Sequence, residues 1–159
     1  MKQKPIKRNP NILLLSKDHH FTLLFCWKIR EGLKHAVDPE RIKKYVQHFW
    51  NTNMLAHFRE EEIILFSKVV DEKVQNAIND HHSIEEQVEQ ITQSPLNGST
   101  TSLSKLAEMV DTHVRYEERE LFPYLERQLT ADQLETIGKE LKYKQVLQDD
   151  YPDEFWVKN

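Results

Sequence analysis

Two stretches of this chain share one arrangement. HFREEEIILF runs from His57 to Phe66 and HVRYEERELF from His113 to Phe122, with His, Arg, Glu, Glu, Leu and Phe at the same offsets. In each, a histidine and a glutamate four residues apart lie one helical turn apart on one face. That face is also the apolar one in both stretches. The chain must therefore fold so that imidazoles and carboxylates enter a core, where each is costly unless satisfied.

Helical periodicity marks four segments. Ile12, Leu15, His19, Thr22, Cys26, Ile29 and Leu33 share one face of the first, and Ile42, Val46, Trp50, Asn53, His57, Glu61 and Ile64 one face of the second. The third carries Val74, Ile78, His81, Ile84, Val88 and Ile91, and the fourth Leu103, Leu106, Val110, His113, Glu117, Leu121 and Tyr124. Asp38-Pro39 supplies a cap and a first-turn proline for the second segment. A link near Val70 to Glu72 and the stretch SPLNGST, Ser94 to Thr100, separate the rest. Thr130-Ala-Asp-Gln133 reads as a capping box that opens a fifth, shorter helix towards Lys144. Three glycines and six prolines in 159 residues suit helices. The expectation is an all-α single domain over 1–159. An up-down-up-down antiparallel four-helix bundle over 10–128 is followed by a short helix and an irregular acidic, aromatic tail over 130–159.

The polar intruders in these stripes fall in one layer. With helix starts near Pro10 and Glu72, and ends near Phe66 and Gln128, His19, His57, His81 and Glu117 all lie about 14 to 17 Å from the same end of such a bundle. His57 with Glu61 and His113 with Glu117 form two clamps, and DHH at Asp18–His20 and Asp80–His82 faces them. The stripes favour His19 over His20 and His81 over His82. Four imidazoles and two carboxylates able to bridge make a cradle for two metal ions; this donor set suits iron, with manganese or zinc as substitutes.

The motifs DH, HFREEEIILF, DH and HVRYEERELFP, in that order, resemble those of the hemerythrin-like, or HHE cation-binding, domains. The resemblance implies His19, His57, Glu61, His81, His113 and Glu117 as ligands of a non-haem di-iron centre. Both glutamates would bridge, with an oxo or hydroxo bridge and one position open to a small ligand. Oxygen-carrying hemerythrins look to use five histidines, and the matched positions here supply four, leaving water, His20 or Tyr116 as a further donor. Asn53 puts a polar group one turn before His57, where a gas pocket would be apolar. Ser67 replaces the proline that the second clamp keeps as Pro123.

The remaining polar residues read as ordinary ones. Glu60, Glu62, Glu118 and Glu120 fit a wet helix face, His35 and His48 a surface or capping role, and Cys26 a small apolar one. Arg59 and Arg115 pair with neighbouring carboxylates. Phe49, Trp50, Phe58, Phe66 and Phe122 belong to the core, with some of them walling the open metal position, and Phe155 and Trp156 either fold back or meet a partner.

The single cysteine points to a reducing, cytoplasmic setting. The apolar run after the basic start is too short for a signal core, and no stretch reaches the roughly 18 to 20 residues of a membrane span. A net charge of -4 without a basic stripe argues against nucleic acid. Binding or sensing of O2 or NO ranks first among functions. A di-iron enzyme acting on peroxide or nitric oxide, or handling iron, ranks second, and a structural metal-stabilised module third. An iron-sulfur repair role is disfavoured because no extra cysteine-bearing region precedes the bundle, and signalling would need a separate partner because no output domain accompanies it.

Overall fold

The computed structural model describes residues 7–93, 100–144 and 148–158, and every regular element among them is helical. Helix α1 is Leu13–Lys34. The second rod begins as α2, Pro39–Phe49, passes a π-helical turn at Trp50–Met54, continues as α3, Leu55–Glu60, and ends in a second π turn, Glu61–Leu65, and a 3-10 turn, Phe66–Lys68. Helix α4 is Glu72–Gln93, and α5, Thr100–Tyr116, runs through a π turn at Glu117–Leu121 into α6, Phe122–Gln128. Helix α7, Ala131–Leu141, closes the helical part. Helix α5 packs along both α1 and α4, while α2 packs against α4 and α1.

Local chemistry explains the ends. The Asp38 carboxylate accepts from the Glu40 N–H ahead of Pro39. Asp71 does the same for Lys73 at 2.8 Å, so the short link after Lys68 ends where α4 begins. Thr130 and Gln133 form the reciprocal capping box. Most of SPLNGST lies outside the described residues, as does the start of the basic head.

Both clamps sit where a π turn begins, at Glu61 and at Glu117. A π turn holds more residues than an α turn, so the buried face arrives one residue late beyond it. Leu65 is buried where the periodicity expects Ile64, and Leu125 where it expects Tyr124. Tyr124 instead donates its hydroxyl to Asp71 at 2.5 Å.

The core is two apolar clusters with the polar layer between them. One gathers Phe25, Ile42, Tyr45, Phe49, Phe58, Val88 and Leu106, and the other Leu15, Leu65, Phe66, Leu121, Phe122 and Ile137. Phe66 and Phe122 meet the histidines from one side and Phe58 from the other. The tail folds back. Phe155 is 1% exposed in the first cluster, and a Cβ on Gly32 would stand 2.8 Å from its ring, so glycine lets the tail lie flush on α1. Trp156 lies under the Lys28 ammonium, 4.1 Å from ring to nitrogen.

Candidate metal centre

His19 comes from α1, His57 from α3, Glu61 from the π turn after it, His81 from α4, His113 from α5 and Glu117 from the matching π turn. All six are buried, the two glutamates completely. The layer deduced from helix lengths is present: ring centroids of His19 and His57 are 5.1 Å apart, and those of His81 and His113 4.8 Å. His19, His57, Glu61 and Glu117 offer ligand atoms within 4.8 Å of one another, and so do Glu61, His81, His113 and Glu117. The two quartets share both carboxylates. Each glutamate reaches imidazoles of both: Glu61 Oε1 lies 3.3 Å from His57 Nε2 and 3.2 Å from His81 Nε2, and Glu117 Oε1 lies 3.4 Å from His19 Nε2 and 2.8 Å from His113 Nε2.

The Nε2 atoms of all four histidines and both oxygens of Glu61 and Glu117 are buried without a hydrogen-bond partner. Eight orphaned polar atoms facing one another are a strong anomaly, because buried polar groups are almost always satisfied. A pair of cations accepting nitrogen and oxygen donors fits them all.

Each histidine is aimed by a carboxylate on its other nitrogen. Glu118 holds His19 Nδ1 at 2.8 Å, Asp18 holds His57 at 2.9 Å, Glu62 holds His81 at 3.2 Å and Asp80 holds His113 at 3.0 Å. A carboxylate on Nδ1 fixes the tautomer and leaves the Nε2 lone pair for a metal. This corrects the wet-face reading of Glu62 and Glu118, both only partly exposed and both turned inward to a histidine. The signal was present. Each clamp glutamate is followed by a second glutamate and each stripe histidine on the DHH helices is preceded by an aspartate. The holders cross between helices, which sequence offsets alone do not reveal.

The electrostatics describe a strongly negative centre. Burial pulls the His57 imidazole down, but the charge of Glu61 beside it and the hydrogen bond to Asp18 outweigh it and hold the ring up to about 9. His113, against the same penalty, is held up to about 10 by Glu117 and Asp80. His19 and His81 are also raised, and Glu61 is held well below the usual carboxylate range despite its burial because three histidines face it. The carboxylates here demand positive charge, supplied by protons or by metal.

Other expectations resolve simply. His20 and His82 are exposed. The Tyr116 hydroxyl donates to the Lys73 carbonyl at 2.8 Å, and neither His20 nor Tyr116 belongs to either quartet. Asn53 is not free to line a gas pocket, since its amide donates to the Gln148 carbonyl at 3.2 Å and so anchors the tail. His35 reaches Glu31, one turn back, and His48 packs on Tyr151. Arg115 pairs with Asp111. Burial pushes the Cys26 thiol up to about 12, which leaves it an inert core group. Phe58 stacks on His81 at 3.8 Å, nearly parallel. Among the described residues no helix is long and apolar enough to cross a membrane.

The family described as hemerythrin HHE cation binding domain matches residues 12–125, a span that contains all six residues. No curated protein and no solved structure matches the chain.

Proposed function

Taking as premise that this chain belongs to the hemerythrin HHE cation-binding family, we propose that it is a non-haem di-iron protein that binds or senses a small ligand such as O2 or NO. Its rods follow an up-down-up-down path. His19 and His57 would hold one ion, His81 and His113 the other, and Glu61 and Glu117 would bridge the two. The observation that carries this reading is the set of eight orphaned donor atoms, each imidazole aimed from behind by a carboxylate.

Iron, when bound, supplies a redox-active Lewis acid for a diatomic ligand. The chain's residues do the rest. Asp18, Asp80, Glu62 and Glu118 keep the Nε2 lone pairs convergent. Phe58, Phe66 and Phe122 wall the layer with apolar surface and exclude water, which would suppress irreversible oxidation. A cleft of about 310 Å³ lined by Trp50, Phe58, Glu62 and His81 leads from the surface to the layer. That cleft has room for peroxide as well as for a diatomic, and so it accommodates the second reading, an enzyme acting on peroxide or nitric oxide.

Anaerobic reduction followed by air should give a charge-transfer band that reverses under vacuum and is missing in Glu61→Ala. A spectrum indifferent to O2 and NO ends the binding reading. Peroxide or NO consumption lost in Glu61→Ala would then establish the enzymatic one.

A further inference from the structure

The four imidazoles are aimed alike, yet the groups that aim them stand in different surroundings. In the His19–His57 half, both holding carboxylates are gripped by buried cations from segments flanking the bundle. Lys144 Nζ lies 2.6 Å from Asp18 Oδ2 and 2.7 Å from Glu60 Oε2, with its side chain 4% exposed. Arg8, 5% exposed, donates to the Glu118 carbonyl at 2.7 Å and to Glu126 at 3.0 Å, and lies 3.6 Å from the Glu118 carboxylate. The Ser16 hydroxyl completes the grip on Glu118 at 2.6 Å. In the His81–His113 half, the Asp80 and Glu62 side chains are 48% and 34% exposed, against 6% for Asp18 and 30% for Glu118, so the contrast in burial lies between the two aspartates and the contrast in pairing covers both holders. Among the described residues neither Asp80 nor Glu62 pairs with a lysine or arginine. Two clefts also open here, one onto His81 and Glu62 and the other, of about 280 Å³, onto His113 and Asp80.

We propose that Lys144 and Arg8 are positioning residues that lock the His19–His57 half of the centre, so that an ion held there is retained while one held by His81 and His113 exchanges. The proposal rests on the dinuclear reading above. Releasing an ion requires its imidazoles to turn away, and that breaks each Nδ1 hydrogen bond to a carboxylate. On the His81–His113 side the freed carboxylate turns into water. On the other side Asp18 cannot follow the ring without abandoning a buried ammonium, a costly separation. Ligand set and symmetry make the two positions equal, and the flanking cations make them unequal.

The test is release of Zn2+ from the full chain, loaded with two equivalents, into excess chromogenic chelator. The wild type should release two phases of equal amplitude, with rates at least about tenfold apart, the scale on which outer groups act on metal sites. Lys144→Met should accelerate the slow phase about tenfold and leave the fast one within about twofold, and Lys144→Arg should restore the slow rate. Arg8→Met should act on the same slow phase, and it carries the test alone if Lys144→Met does not fold. His113→Ala should retain one ion, released at the slow rate. A single wild-type phase, an unchanged slow phase in both Met variants, or both phases accelerating together would overturn the proposal. A wild type that takes up fewer than two ions would instead bring down the dinuclear reading beneath it.

Discussion

The two halves of the centre are the same device built twice, and their difference lies behind the ligands. Asp18 and Asp80 do the same work, each accepting from the Nδ1 of a histidine on another helix, at 2.9 and 3.0 Å. Asp18 does it in the dry, paired with a lysine, and Asp80 does it at the surface. An internal repeat thus brings one set of inward histidines and carboxylates together twice, while segments outside the repeat set cations beside the holding carboxylates of one half alone.

The largest effect should come from erasing what the halves share. Glu61→Ala removes a carboxylate that faces His19, His57 and His81, so both halves should fail together and the variant should emerge from gel filtration without bound metal. Retention of two ions would separate the halves more completely than this geometry allows.

A sharper contrast is Asp18→Asn against Asp80→Asn. Without Asp18 the buried Lys144 keeps only Glu60, and metal-free protein should lose about 3 to 5 kcal/mol in denaturant unfolding. Asp80 is half-exposed, and its replacement should cost under about 1 kcal/mol. Equal losses would show that the burial contrast has no energetic weight.

Acidity should separate the loaded from the metal-free protein. A histidine raised on folding stabilises the fold fully below its usual value of 6.5, and this is lost as pH climbs through about 9 for His57 and about 10 for His113. Glu61, lowered on folding, contributes above its usual 4.5 and loses that as pH falls through its folded value. The metal-free melting temperature should therefore drop between pH 8 and pH 10.5, and His113, the more raised of the two, should titrate last by NMR. The loaded form, in which metal replaces those protons, should not drop there, and metal uptake at pH 7 should release protons measurable in weak buffer.

The smallest effect belongs to the surface. Arg115 and Asp111 form an exposed pair one turn apart at the edge of the second clamp, and Arg115→Ala should change stability by under about 1 kcal/mol and leave metal content intact.

Much of this arrangement is legible in the sequence. The periodic stripes and the caps at Asp38 and Thr130 follow from local chemistry, and the six converging residues follow from their position on apolar faces. Glu62 and Glu118 were not legible because one-dimensional periodicity places them beside the stripe, and only the packing of neighbouring rods turns them inward. The π turns were hidden for a related reason. A helix widens when its side chains must meet a common point, and tertiary geometry decides that. Lys144 and Arg8 carry no motif at all. Their partners lie across the fold, 126 residues away for Asp18 (144 minus 18) and 110 for Glu118.

The dinuclear reading requires two cations between these six side chains. Anomalous diffraction from crystals grown with Fe2+ under nitrogen tests it most directly. Two peaks should appear, one against His19 and His57 and one against His81 and His113, with Glu61 and Glu117 reaching both. A single peak, or peaks confined to the protein surface with the layer left unfilled, would contradict the account.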